Sequence, residues 1–183
     1  KLKIGVLASG KGTNFQELID LSEKGELDID IKVLITNKDD AGCIKKAEKK
    51  KIPHKIIRGK DFLQKEAFEL EIVNTLIHYD VELVVMAGWM KIVTPFFINK
   101  FKNKIINIHP SLLPAYKGGS AIKDSILNGS KITGCSVHFV EEEVDSGSLI
   151  MQAALSIRND DDIESLSKRI QMLEHKILPH SIS

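Results

Sequence analysis

The sequence predicts an α/β fold: a doubly wound, mostly parallel sheet with a C-terminal antiparallel hairpin and a final helix. Short apolar runs alternate with amphipathic segments, which is typical of parallel sheets covered on both faces. The first run, at 3–7, leads through a glycine-rich turn into a helix. Two strand-like segments near the C-terminus are joined by a short acidic turn, which indicates a hairpin.

Runs of β-branched and other apolar residues define the predicted strands. They fall at 3–7, 31–35, 54–58, 81–87, 105–109, 131–140 and 149–155. The run at 81–87 is continuous and apolar, so we expect it to be the central strand.

Helix end signals and a 3.6-residue period define the predicted helices. Thr13 and Gln16 form a capping box for the first helix. Asp61 and Gln64 are predicted to cap a longer helix, and Pro179 to end the last one. The apolar face predicted for that longer helix comprises Leu63, Ala67, Leu70, Val73 and Ile77.

Composition indicates one soluble domain over residues 1–183. Hydrophobic residues make up 43% and charged residues 28%, and the net charge is +1, so we expect no nucleic-acid or membrane partner. No apolar run reaches the length of a membrane span, and the first residues are strand-like rather than a signal peptide. Cys43 and Cys135 lie in apolar patterns, which favours free thiols, no zinc site and a cytoplasmic location. We expect a monomer or a homodimer.

The turn at 8–14 joins a strand to the amino end of a helix, which suits phosphate binding. A P-loop requires Ser or Thr where Gly12 stands, and a dinucleotide fingerprint requires glycine where Phe15 stands. The turn therefore predicts a cradle for a monophosphate rather than for an NTP or NAD. The alternative is an ordinary βα turn without a ligand.

Asn107 and His109 lie two residues apart at the end of a strand that Pro110 terminates. Side by side, a carboxamide and an imidazole can stabilise and protonate an oxyanion. A nearby carboxylate would raise the pKa of the imidazole, and Asp145, in the acidic turn, is the candidate. The alternatives are a structural His-Pro and a turn-forming Asp.

The loop at 88–93 contains large apolar side chains after the predicted central strand, including the only tryptophan, Trp89. It could provide an apolar wall for a flat aromatic ligand. Core packing is the alternative reading, and for one of Trp89 and Met90 we expect it.

Several segments resemble the formyltransferase superfamily that uses formyltetrahydrofolate, and within it the phosphoribosylglycinamide formyltransferase family. The segments are 8–16, 86–92, 106–114, 134–140, 145–147 and 174–179. The resemblance implies a Rossmann-like fold and transfer of the formyl group of 10-formyltetrahydrofolate to the amine of glycinamide ribonucleotide, in purine synthesis. It implies small-molecule substrates and no metal.

The resemblance also assigns roles to individual residues. Asn107, His109 and Asp145 would be catalytic. The ribonucleotide would bind Gly12, Thr13 and Asn14 through its phosphate, and Gln171 and Glu174 through its ribose and glycinamide part. The folate would bind Lys65, Met90, Lys91, Ile92, Val93, Asn107, Glu141 and Val144. A solvated helix face is the alternative for Gln171 and Glu174, although their spacing of three places both on one face.

Three features depart from the family pattern. The run 117–122 lacks the histidine common in the family, and the role of that histidine is lost or passes to Ser120. Lys65 replaces a common arginine, and the chain stops at Ser183, where relatives continue.

Three rival functions remain: a formyltetrahydrofolate hydrolase, a methionyl-tRNA formyltransferase and a non-catalytic nucleotide-binding module. The first two are expected to carry an additional domain.

Overall fold

The computed structural model describes residues 1–183. The strands are β1 (Leu2–Leu7), β2 (Ile29–Thr36), β3 (His54–Ile56), β4 (Leu83–Met86), β5 (Ile105–His109), β6 (Ile132–Phe139) and β7 (Leu149–Ser156). The helices are α1 (Thr13–Glu23), α2 (Gly42–Lys49), α3 (Lys65–His78), α4 (Pro95–Lys100), α5 (Ala121–Leu127) and α6 (Ile163–Ile182), with a 3-10 turn at Gly59–Asp61. None of the helices is both long and apolar enough to cross a membrane.

The strand order in the seven-stranded sheet is β3-β2-β1-β4-β5-β6-β7. β1 pairs in parallel with β2 and β4, β2 pairs in parallel with β3, and β6 and β7 are antiparallel. The predicted fold class and the central position of β4 are therefore confirmed. The chain divides into two compact units, Lys1–Ile106 and Asn107–Ser183; a single domain over 1–183 stays a prediction.

In the first unit, α3 packs closely over β1. Ile4, Val6 and Leu7 are fully buried. A Cβ on Gly5 would lie 2.6 Å from a methyl group of Leu76, so this position of the strand has room only for glycine unless the leucine moves.

The predicted apolar face of α3 was wrong except at Val73, which is buried. Leu70 and Ile77 are 45% and 62% exposed, and Leu63 lies before the helix, fully exposed. The buried apolar face comprises Phe68, Ile72, Val73 and Leu76. The sequence of α3 carries two apolar stripes. The buried stripe contains the large ring of Phe68 and also Leu76, which packs on β1.

The two predicted helix starts were also wrong. Gly12, in the left-handed conformation (φ 74°), is the N-cap of α1, so Thr13 is already helical and caps nothing. Asp61 belongs to the 3-10 turn, and Gln64 is the N-cap of α3 without a side-chain cap.

In the second unit, α6 continues through Pro179, contrary to the prediction that it stops there. Pro179 lies in the last turn, where its missing N–H costs a single helical hydrogen bond. Its carbonyl accepts from Ser183 N at 3.2 Å, and the ring is buried. Burial of Leu178 and Pro179 favours continuing the helix.

Candidate active site

The carboxyl end of β5 presents Asn107 and His109, as the alternation of strand side chains requires. His109 is 6% exposed. The chain after the strand is held by Ser111, whose hydroxyl donates to Ala115 O at 2.6 Å and whose carbonyl accepts from Ser136 Oγ at 2.7 Å. These hydrogen bonds fix the turn that follows His109 and hence the direction in which the imidazole leaves the strand.

Asp145 lies beside His109, 36 positions away along the chain. Its Oδ2 is 3.6 Å from His109 Nδ1, within ion-pair distance, and also accepts from Gly118 N at 2.8 Å. The Asp145 side chain is 9% exposed, so little water separates the charges. Asp145 therefore lies close to His109, as the sequence predicted. The catalytic roles of these residues stay predictions.

The hydrogen bonds of His109 determine which ring nitrogen carries a proton. Nε2 lies 2.8 Å from the carbonyl oxygen of Tyr116, which can only accept, so Nε2 must donate. Nδ1 then faces the carboxylate of Asp145 at 3.6 Å.

His138, which sequence analysis did not select, completes this cluster. Its Nδ1 donates to Phe139 O at 2.8 Å, and burial lowers the pKa of the ring, so its Nε2 is an acceptor. That nitrogen is 3.3 Å from Asn107 Nδ2 and 3.8 Å from Asp145 Oδ1. His138 therefore orients the Asn107 amide with its N–H toward the ring. The strand period could have revealed it, because His138 shares a face of β6 with Ser136.

The turn at 8–14 is built around Gly12. A Cβ there would lie 2.6 Å from Cys43 Cβ, and the positive φ is itself unfavourable for other residues. Cys43 N donates to Gly10 O at 3.1 Å, which ties the turn to α2. Gln16 N donates to Gly12 O at 2.9 Å, so α1 begins directly at the turn. The turn has the form of an anion-binding helix start.

The loop at 88–93 divides its apolar side chains as expected. Trp89 is 8% exposed and stacks on Phe68, with ring centroids 6.4 Å apart, whereas Met90 and Ile92 are 72% and 63% exposed. Lys91 Nζ lies 5.5 Å from the centroid of Phe68. The exposed pair can form the apolar wall.

The remaining candidate residues differ in how far they are exposed to solvent. Lys65, Glu141 and Gln171 are exposed, Val144 is 42% exposed and Val93 is half-buried. Glu174 is buried, and its charge adds to the burial that raises the pKa of Cys135 to about 12. Ser120 is exposed and makes no side-chain cap for α5. No group of three or more His, Cys, Asp or Glu side chains is arranged to hold a metal ion.

The acidic turn is tied to the loop at 117–122. Lys117 Nζ donates to Ser146 Oγ at 2.6 Å and lies 3.6 Å from Glu143 Oε1. Lys117 and Gly118 therefore hold this turn through three separate contacts, including the Gly118–Asp145 hydrogen bond.

The chain is similar along nearly its whole length to known formyl transferases. The family model described as formyl transferase matches residues 2–182. Phosphoribosylglycinamide formyltransferase of Haemophilus influenzae is 41% identical over 97% of this chain and 84% of that protein. The crystal structure of phosphoribosylglycinamide formyltransferase from Bacillus halodurans superposes with a TM-score of 0.96 at 37% identity, covering 98% of this chain and 93% of that one.

Larger relatives contain this sequence as one part. The trifunctional purine biosynthetic protein adenosine-3 of Chironomus tentans is 42% identical over 100% of this chain, which spans 13% of that protein. The match along 2–182 and the similarity to relatives of comparable length agree. The chain therefore belongs to the formyl transferase family.

Proposed function

We propose that this protein transfers the formyl group of 10-formyltetrahydrofolate to the amino group of glycinamide ribonucleotide, a step of purine biosynthesis. The observation that carries the proposal is the cluster of Asn107, His109 and Asp145, with the imidazole and carboxylate buried, in a chain of the formyl transferase family. Free buried thiols at Cys43 and Cys135 are compatible with a reducing cytoplasm.

The chemistry begins with attack of the neutral amine on the formyl carbon, which produces a tetrahedral oxyanion. Asn107 has one amide N–H directed to His138, and its other N–H is available to donate to this oxygen. The Nε2–H of His109 supplies the second hydrogen bond, exchanging the Tyr116 carbonyl for the oxyanion. Such preorganised donors contribute a few kcal/mol each.

Asp145 lies 3.6 Å from His109 Nδ1 and holds the imidazole at the reaction centre. The amine loses a proton as it attacks, and the folate nitrogen gains one as it leaves. His109, supported by Asp145, moves these protons, directly or through water. The reaction requires no covalent intermediate on the enzyme.

Substrate recognition follows from the surroundings described above. The helix start at Gly12, Thr13 and Asn14 suits the phosphate, and Gln171 and Glu174 offer hydrogen-bonding groups for the ribose and glycinamide. Contacts to the folate would come from residues 90–93, Asn107, Glu141 and Val144, with Lys65 contributing charge to the glutamate tail. A monomer or homodimer suffices for this assignment.

A formyl-transfer assay with and without glycinamide ribonucleotide tests the proposal. We expect turnover only when both substrates are present; formate release without the ribonucleotide would instead indicate a hydrolase. His109→Ala and Asp145→Asn should lower kcat about 100-fold or more with little change in KM. Glu142→Gln, exposed in the same acidic turn, is the matched control. Weakened binding with unchanged kcat would contradict the assigned roles.

A further inference from the structure

Glu69 is a buried carboxylate that the proposed chemistry does not use. It lies on α3 and is 1% exposed. Burying a charged carboxylate is costly unless hydrogen bonds replace its hydration. Both oxygens accept from Thr94: Oε2 from the backbone N–H at 2.9 Å and Oε1 from the hydroxyl.

Thr94 is the residue at which the 88–93 loop ends and α4 begins. It is the N-cap of that helix, yet its hydroxyl donates to Glu69 instead of capping its own helix. The next residue, Pro95, has no N–H to offer. The carboxyl end of the loop is therefore fixed from outside, by α3.

The rest of the loop is held by neighbouring groups. Phe68, adjacent to Glu69, stacks on Trp89. At the amino end, Ser9 N donates to Gly88 O at 2.9 Å, and Ser9 Oγ accepts from Met90 N at 3.0 Å. These contacts hold the loop backbone and Trp89 against the protein, while the side chains of Met90 and Ile92 remain exposed to solvent.

We propose that Glu69 is a positioning residue for the folate: its grip on Thr94 holds the 88–93 loop so that Met90 and Ile92 form a preorganised apolar wall. This inference rests on the proposed function, because it takes the pterin to be the ligand of that wall. Ordering this loop before binding removes an entropic cost from substrate association. The effect should therefore appear in folate affinity rather than in the chemical step.

Kinetics of four variants test the role. Glu69→Ala removes both acceptors, and Thr94→Val removes the hydroxyl at nearly constant shape. Glu69→Gln can still accept from Thr94 N and donate to its hydroxyl. We expect about a tenfold higher KM for formyl-folate in the first two and partial retention in the third. The KM for the ribonucleotide and kcat should change less than about threefold. Glu66→Ala, exposed on the same helix, is the control.

Fluorescence of Trp89, the only tryptophan, gives a second measurement that needs no substrate. In folded Glu69→Ala and Thr94→Val proteins we expect red-shifted emission and stronger acrylamide quenching, with Glu69→Gln close to wild type. Unchanged emission and unchanged folate KM in both disruptive variants would overturn the inference. If wild type shows no folate turnover, the proposed function fails, while the fluorescence still reports on the Glu69–Thr94 attachment.

Discussion

Gly147→Ala is a sensitive probe of the Asp145 position. Gly147 is buried two residues after Asp145. A Cβ on it would lie 1.7 Å from the carbonyl oxygen and 2.7 Å from the carbonyl carbon of Phe139. These are backbone atoms, and the same oxygen accepts from His138 Nδ1, so the collision cannot be relieved by rotating a side chain. The acidic turn must move.

The size of the effect follows from the ion-pair distance. Restoring an ordinary carbon–oxygen contact requires a shift of roughly 1.5 Å. If the shift carries Asp145 away from His109, their separation grows from 3.6 Å to about 5 Å. At an effective dielectric constant of ~20, the attraction falls from ~4.6 to ~3.3 kcal/mol. A loss of ~1.3 kcal/mol corresponds to about ninefold in kcat.

The assay is kcat for formyl transfer as a function of pH, with urea unfolding run in parallel. We expect kcat to fall about ninefold throughout the pH range over which the variant stays folded. Gly119→Ala is the matched control, because a Cβ there meets nothing within 4 Å. A folded Gly147→Ala protein with kcat within twofold of wild type would refute the reasoning that the His109–Asp145 attraction supports turnover.

Three further predictions concern stability and thiol chemistry. Gly12→Ala should lower the free energy of unfolding by about 2–3 kcal/mol, and Gly25→Ala by only ~1 kcal/mol. Both glycines have φ of +74°, but only a Cβ on Gly12 would collide with Cys43. Equal losses for the two variants in urea unfolding would refute the packing argument. Burial lowers the pKa of folded His138 below its ordinary 6.5, so its contribution to stability is present above pH 6.5 and is lost as the pH falls through the folded value. The melting temperature of His138→Gln should therefore fall less steeply than that of wild type as the pH is lowered. Parallel plots of melting temperature against pH would contradict this. Cys43 and Cys135, both buried with raised pKa, should react with iodoacetamide only after unfolding, and rapid native labelling would contradict their burial.

The sequence by itself determined the order of strands and helices and the positions of the main candidates. Apolar runs, the glycine turn and Pro110 are local signals, and strand alternation alone puts Asn107 and His109 on one side of β5. The hairpin of β6 and β7 followed from its short connection. Such features depend on neighbouring residues, so a single sequence contains them.

Only the tertiary structure decided which of two apolar stripes of α3 is buried, since that depends on what packs against the helix. The same holds for the polar pairs: Glu69 with Thr94, His138 with Asn107, and Asp145 with His109 lie 25, 31 and 36 positions apart. Periodicity specifies the face on which a side chain lies and not the distant group that meets it. Burial then gives these pairs their strength, because excluded water no longer competes for the hydrogen bonds and charges.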